Sequence, residues 1–459
     1  MKIELDSMVW MGRPEVSALG KSFARLRAVF QVKPKQFGRQ AIQPINQFIY
    51  DEQNERIGLP LWAGLRMTPE EWGIDNRLSR GLGFKARSFP DPHHPKAPPG
   101  QEEFFNDLLN AMRDQYTVMA QAPTGAGKTV AALNTIGTLG RTAIVVVPSE
   151  FLAEQWAAEA QRHLGMEPSE IGILKGASVE WEGKHLVIAL IHNLVFKTWP
   201  EEFGRYFGCA VFDEAHRLGA REFSKAVQLF PAKYKLALTA TPDRRDGCEK
   251  LFLDYFGPVT VESRQQVLPV KVKLIPFSHT KVPRSLGFCE YPTRALQFLS
   301  TCDARNQEIV RLIAQQYDQG RNILVLSKFI PHVERLIFMC REMGIPEEHL
   351  GQFTRSTTSK RRIKQAQLDE AKMKPVCIGT YNMLREGVDV PQWDTGIEAL
   401  PTADVRQAVG RIRRLHPGKP QPYWFTFIDE SRSPSLAFLR GYSVCRLRGL
   451  ANVGCVVEE

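Results

Sequence analysis

Two rhythms of apolar residues trade places along most of the chain. Phe104, Phe105, Leu108, Leu109 and Met112 recur at helical spacing, and helices are also predicted after Lys128 and over 151–163. Short unbroken apolar runs at 117–120, 143–147, 186–189, 209–212 and 236–238 read as buried strands. A second series starts beyond Pro269, with helices at 306–317 and 332–343 and strands at 323–326, 376–378 and 423–428. Such alternation gives an α/β chain in which a mostly parallel sheet, covered by helices on both faces, is built twice. From Ser88 to Gly100 there are five prolines in 13 residues, which excludes a helix or a central strand and predicts a linker. His93 and His94 within it have no nearby cysteine or carboxylate cluster and read as a solvated loop, not as metal ligands. Ahead of the linker, 45–50 and 57–62 are expected to pair as a hairpin around the polar run 51–56, and 14–30 to contain a helix. The expected organisation is a small N-terminal α+β domain (1–87), the linker (88–100) and two parallel-sheet domains in tandem (101–262 and 263–459).

Chemistry enters at 122–129, Ala-Pro-Thr-Gly-Ala-Gly-Lys-Thr. It resembles a phosphate-binding loop, with Pro123, Thr124, Gly125, Ala126 and Gly127 bringing backbone N–H groups towards phosphate oxygens. Lys128 would reach the β/γ-phosphates and Thr129 a Mg2+ ion. The strict pattern has glycine where this chain has Ala122. Downstream, the apolar run 210–212 ends in Asp213-Glu214-Ala215-His216. Alone, an acidic pair is most simply a solvated turn. At the C-terminal edge of a strand facing the loop, Asp213 suits the metal and Glu214 the attacking water. Near the C-terminus, Gln407, Arg411 and Arg414 follow at offsets of four and three, so a helix would present them on one side. Two guanidinium groups there could stabilise charge on a γ-phosphate, as an arginine finger does.

These segments, with 145–156, Thr239-Ala-Thr241, 323–336 and 380–391, match in order the motifs of superfamily 2 helicases over residues 101–429. Thr-Ala-Thr-Pro-x-Arg-x-Asp-Gly at 239–247, Arg305-Asn306 and Glu386-Gly-Val-Asp-Val-Pro391 are similar to the XPB-like branch and to phage UvsW-like helicases. The resemblance implies two RecA-like domains using ATP and Mg2+, with Gln101 reading adenine and Gly387 and Asp389 also near the nucleotide. By the same resemblance His216, Thr239, Thr241 and Gln407 couple nucleotide state to closure, and Pro148 and Thr380 contact a phosphate backbone. Where the family usually has Thr-x-Gln-Ser, this chain has Leu190-Ile191-His192-Asn193.

Charge favours the same partner. The net charge is +10 over 459 residues, distributed as +5 in 1–99, −5 in 100–262 and +10 in 263–459, so basic flanks surround an acidic segment. The eight cysteines form no Cys-x-x-Cys, which argues against a zinc module or disulfide framework. No apolar run approaches bilayer length and the N-terminus is acidic, so no membrane partner is expected, and the cysteine usage makes a reducing cytoplasm the default. The similarity to phage helicases implies a bacterial or phage-infected cell, and a monomer is expected. The resemblance leans towards a DNA helicase or translocase that unwinds or branch-migrates forked, branched or duplex DNA in replication, recombination or repair, because Asp-Glu-Ala-His stands here with Arg244-x-Asp246-Gly247 and Glu386-Gly387. The alternatives are an RNA helicase or a motor subunit of a larger complex. Basic residues Arg432, Arg440, Arg446 and Arg448 either touch nucleic acid or form a solvated helix face.

Overall fold

In the computed structural model, residues 1–34, 43–94, 97, 100–123, 126–176, 178–215, 220–240, 248–264, 268–279, 292–359, 363–384, 390–430 and 436–458 are described. The chain forms two compact units, Met1–Gln265 and Gln266–Glu459.

The first unit opens with seven short strands: β1 (Lys2–Leu5), β2 (Met8–Gly12), β3 (Gln31–Val32), β4 (Ile45–Asn46), β5 (Ile49–Asp51), β6 (Arg56–Pro60) and β7 (Gly73–Asn76). Five of them make a mixed sheet in the order β5-β6-β2-β1-β7. The expected hairpin is present but shorter, because β5 pairs with β6 while Ile45–Asn46 pairs back on Gln31–Val32. Residues 14–30 hold two helices, Arg13–Ala18 and Phe23–Val29, parted at Gly20, whose φ is 65°.

The large sheet of this unit contains β8 (Thr117–Gln121), β9 (Ala143–Val147), β10 (Ile171–Leu174), β11 (Leu186–Leu190), β12 (Cys209–Phe212), β13 (Tyr234–Thr239) and β14 (Val259–Glu262). All neighbours are parallel, in the order β10-β11-β9-β12-β13-β8-β14. The runs Ala-Ile-Val-Val-Val and Cys-Ala-Val-Phe are buried at every position, as strands covered on both faces must be. Helix Gln101–Asp114 buries Phe104, Phe105, Leu108 and Met112, and helix Glu150–Leu164 starts at Ser149, whose hydroxyl accepts from the Leu152 amide.

The second unit repeats the plan with β15 (Lys271–Ser278), β16 (Ile323–Ser327), β17 (Leu350–Phe353), β18 (Val376–Thr380), β19 (Thr395–Glu398), β20 (Tyr423–Glu430) and β21 (Val456–Glu458). Its order is β17-β18-β16-β19-β20-β15-β21, again all parallel. Numbered within its own sheet, each unit reads third, fourth, second, fifth, sixth, first, seventh. These are two RecA-like parallel-sheet domains in tandem, preceded by a small N-terminal α/β region.

Where the N-terminal sheet meets the first large sheet, Lys235 of β13 is completely buried, and among the described residues its ammonium finds no hydrogen-bond partner. Asp6 attracts it, but Asp6 Oδ1 already accepts from the Met8 amide and Trp10 Nε1. Burial therefore pulls Lys235 from 10.5 down to about 7. A lysine depressed in the folded state gives full stability above its unfolded value and loses it as pH falls towards the folded one. Lys235→Met is thus expected to raise stability by about 1–3 kcal/mol near pH 7 and to flatten the rise in stability towards alkaline pH, read from urea denaturation at both ends of that range.

Candidate nucleotide and nucleic-acid site

The strand order creates the site before any side chain is considered. β8 and β12 flank β13, so their C-terminal ends lie two strand spacings apart, about 10 Å, with the end of β13 between them. The loop after β8 and the carboxylates after β12 therefore share one edge of the sheet.

Ala122 is fully buried and its N–H donates to the carbonyl of Thr239 at 3.0 Å, carrying the sheet one residue into the loop. Among the described residues only Glu55 and Glu214 combine a side chain with positive φ, so Ala122 needs none of glycine's freedom. The Ala126 amide turns back onto the Pro123 carbonyl, and Gly127, at φ 75°, opens the helix Lys128–Leu139. The first turn of that 12-residue helix aims its amide dipoles at the loop. Lys128 is buried, and its Nζ donates to the carbonyls of Ala122 at 3.0 Å and Pro123 at 3.3 Å, which holds the ammonium over the loop. Thr129 is half-buried beside it, while Thr124 and Gly125 lie outside the described residues.

Asp213 follows β12 and is 3% exposed. Its Oδ2 accepts from Trp156 Nε1 at 2.8 Å and its Oδ1 from the Glu214 amide at 2.8 Å. Burial first, and then the Glu214 carboxylate, push Asp213 up to about 6, against the pull of the Trp156 bond and the Lys128 charge. Glu214 itself has φ 48°, a left-handed backbone that a glutamate adopts at a cost of roughly 1–2 kcal/mol. Thr239 is buried at the end of β13, and Gln101 is buried as the first residue of the helix Gln101–Asp114, which packs on helix Lys128–Leu139. The structure thus brings together the loop, Lys128, Asp213, Glu214 and Thr239. His216 and Thr241 lie outside the described residues.

On the same edge, Pro148 follows β9 and the short helix Ile191–Val195 follows β11. This helix ends at Phe196, which is 75% exposed and stacked on the His192 ring at 6.1 Å and 12°. Sequence reasoning passed over both Phe196 and the Trp156 bond.

In the second unit Thr380 ends β18 and is buried. Gln407 and Arg411 lie on the helix Arg406–Ile412, but that helix is capped at Arg413, so Arg414 falls beyond it and the expected single row of three does not form. Arg411 and Arg414 are also buried instead of standing out from a helix face. Arg411 Nη2 donates to the Leu384 carbonyl at 2.7 Å, and desolvation draws Arg414 from 12.5 down to about 10. Gly387 and Asp389 lie outside the described residues. For Arg446 neither reading given for the C-terminal basic residues holds: it is buried against Glu398 at 3.2 Å, each side chain 1% exposed. Arg440 and Arg448 are exposed, and Arg432 lies outside the described residues.

Residues 95–244 match the family described as type III restriction enzyme, res subunit. A putative ATP-dependent RNA helicase of Acanthamoeba polyphaga mimivirus is 26% identical over 390 residues, covering 83% of this chain and 72% of the relative. A DNA 3'-5' translocase, XPB2, of Sulfurisphaera tokodaii is 34% identical over 149 residues, 32% of each chain. These matches support a superfamily 2 helicase of XPB-like type. A fragment of a putative HsdR subunit of a type I restriction enzyme from Vibrio vulnificus shares the fold of this helicase, with a TM-score of 0.52 at 15% identity over 75% of this chain and 65% of the other. The match to the translocase spans about a third of either protein's length. No helix among the described residues of the helicase is long and apolar enough to cross a membrane.

Among the described residues, the Trp156 indole is the uncharged side chain that favours ionised Asp213. Trp156→Phe keeps an aromatic ring but deletes the donor, so ATP turnover is expected to fall about 10-fold, the value of one hydrogen bond to a charged group. Steady-state hydrolysis, normalised to folded protein by circular dichroism, checks this.

Proposed function

We propose that this helicase is an ATP-driven DNA helicase or translocase that unwinds or branch-migrates forked and junction DNA during replication, recombination or repair. The observation that carries the ATPase part is the buried Asp213 carboxyl on the same sheet edge as the Lys128 loop. A carboxyl held up to about 6 by burial and by its acidic neighbour gains from a divalent cation, so the residues fit a magnesium-bound triphosphate. Thr129 and Asp213 would hold the metal, which supplies charge neutralisation at the phosphates. Pro123, Thr124, Gly125, Ala126, Gly127 and Lys128 would grip the phosphates, and Gln101, Gly387 and Asp389 the nucleoside. Glu214 would orient and deprotonate the attacking water, and its constrained backbone fixes where its side chain starts. Arg411 and Arg414 would supply positive charge to the γ-phosphate, while His216, Thr239, Thr241 and Gln407 would transmit the nucleotide state.

Several features support nucleic acid as the track. The chain is basic at both flanks, Pro148 follows one parallel strand and Thr380 ends another where a backbone phosphate can be met, and Phe196 offers an exposed ring to an unpaired base. DNA is favoured over RNA by the Sulfurisphaera tokodaii translocase, which is 34% identical over its 149 matched residues. The mimivirus relative, named as an RNA helicase, favours the other substrate, and the restriction-subunit family favours a motor within a larger complex. In the DNA reading, residues 1–87 form an accessory domain that grips duplex, and the protein acts as a monomer.

ATP hydrolysis measured with single-stranded DNA, duplex, a four-way junction and RNA in turn separates these readings. DNA structures are expected to stimulate most, and strong stimulation by RNA alone would overturn the DNA assignment. Lys128→Ala should abolish hydrolysis and unwinding while leaving most nucleic-acid affinity, measured by fluorescence anisotropy. Arg414→Ala and Arg411→Ala should each retain ATP binding but slow turnover by a factor of order 10³.

A further inference from the structure

Behind the helix that carries Gln407 and Arg411 lies a buried polar network that the reading above does not use. Its hub is Glu398, the last residue of the central strand β19 and 1% exposed. Glu398 Oε2 accepts from the hydroxyl of Thr426 on the neighbouring strand at 2.5 Å. Its Oε1 accepts from the Thr402 amide at 2.8 Å and from Arg446 Nη1 at 3.2 Å. Arg446 comes from the C-terminal helix Phe438–Asn452 and also donates to the carbonyls of Phe427 at 3.1 Å and Thr402 at 3.4 Å. One ion pair therefore grips the loop 399–405 through both the amide and the carbonyl of Thr402, just before the helix Arg406–Ile412 begins.

The same loop reaches the end of β18. Tyr381, which directly follows Thr380, donates its hydroxyl to the Leu400 carbonyl at 3.0 Å. Burial, reinforced by the Glu398 carboxylate, raises this phenol well above its ordinary value, so it remains a donor at all working pH. Three residues on, the Leu384 carbonyl accepts from Arg411 Nη2 at 2.7 Å. The short helix Tyr381–Leu384 is thus tied at its first residue to the loop and at its last to the arginine.

We propose that Glu398 and Arg446 are positioning residues for turnover, fixing the Arg411 helix relative to the strand end at Thr380 so that nucleic acid engaged at one is felt at the other. The physical reason is the low dielectric around the pair. An ion pair shut off from water has few alternative partners, so the groups it holds move together or not at all. The C-terminal helix, which carries none of the helicase motifs, becomes part of the motor through Arg446. This inference rests on the reading that Arg411 acts in ATP turnover and Thr380 at nucleic acid.

The test uses the full chain with three substitutions. Tyr381→Phe keeps the ring and removes only the hydroxyl. Arg446→Met removes the ion pair, and Arg446→Lys restores its charge. For each, kcat and KM for ATP are measured with and without oligothymidylate, together with the melting temperature. The expected result for Tyr381→Phe is about a 10-fold loss of kcat in the presence of the oligonucleotide, with KM for ATP within about twofold and melting little changed. Arg446→Met should lose at least as much stimulation, and Arg446→Lys should recover part of it. A fall in melting temperature with normal stimulation per folded molecule in all three would make the network merely structural and overturn the proposal. Should Arg446→Met fail to fold, Tyr381→Phe and Arg446→Lys still decide the matter. Normal turnover in Arg411→Ala would instead defeat the reading of Arg411 itself. Slow Arg411→Ala beside unaffected Tyr381→Phe and Arg446→Met defeats this inference alone.

Discussion

Holding Asp213 out of water beside a second acid is the constraint around which the first unit is organised. Its displacement from 3.8 to about 6 corresponds to a cost on the order of 3 kcal/mol for the ionised form. The fold offsets part of this with the Trp156 indole, the Glu214 amide and the Lys128 ammonium, which come from three different elements. A site in that condition gains by taking in positive charge. The parallel sheet makes it possible, since β12, β13 and β8 all end on one edge and no antiparallel neighbour carries the chain back across it.

The second unit shows what the same topology does without that constraint. Its first and sixth strands, β15 and β20, correspond in sheet order to β8 and β13. At their ends Arg305 is fully buried and binds both carboxylate oxygens of Asp429, through Nε at 2.8 Å and Nη2 at 3.2 Å, while also donating to the Ala399 carbonyl. His279 adds a second partner to Asp429 at 3.0 Å. Charges here are satisfied internally, and burial together with Arg305 keeps nearby His332 neutral, pulling it down to about 3. One sheet edge keeps unsettled electrostatics and the other closes them off, although the strand order is identical.

Legibility followed burial. The runs 143–147 and 209–212 coincide with β9 and β12 because strands covered on both faces must be apolar throughout. The edge strands β10, β14, β17 and β21 were missed, since a strand with one neighbour needs less apolar surface, and so was β15, most of whose residues are exposed or half-buried. β19 was missed for a different reason. It lies centrally, but Thr395 and Glu398 make half of it polar, and only the hydrogen bonds of Glu398 to Thr426, Thr402 and Arg446 make that burial tolerable. That the loop 122–129 and the acidic pair share one sheet edge could be expected, because each directly follows an apolar run readable as a buried parallel strand. The role of Trp156 could not, because its bond to Asp213 spans 57 positions and exists only once β9 and β12 are neighbours. Arg446 failed similarly: in sequence it is one of several arginines, and its partner sits 48 positions earlier.

Ala122 has a wider consequence for how such loops are recognised. Its amide is committed to Thr239 and its methyl group fills the core beneath β8, so the requirement at this position is a small side chain with an ordinary backbone, not an achiral one. A glycine there would loosen the unfolded chain and leave a methyl-sized gap, each a penalty of roughly 1 kcal/mol. A signature search that insists on glycine would pass over motors of this kind, and a tolerance for alanine wherever the preceding strand continues into the loop would recover them.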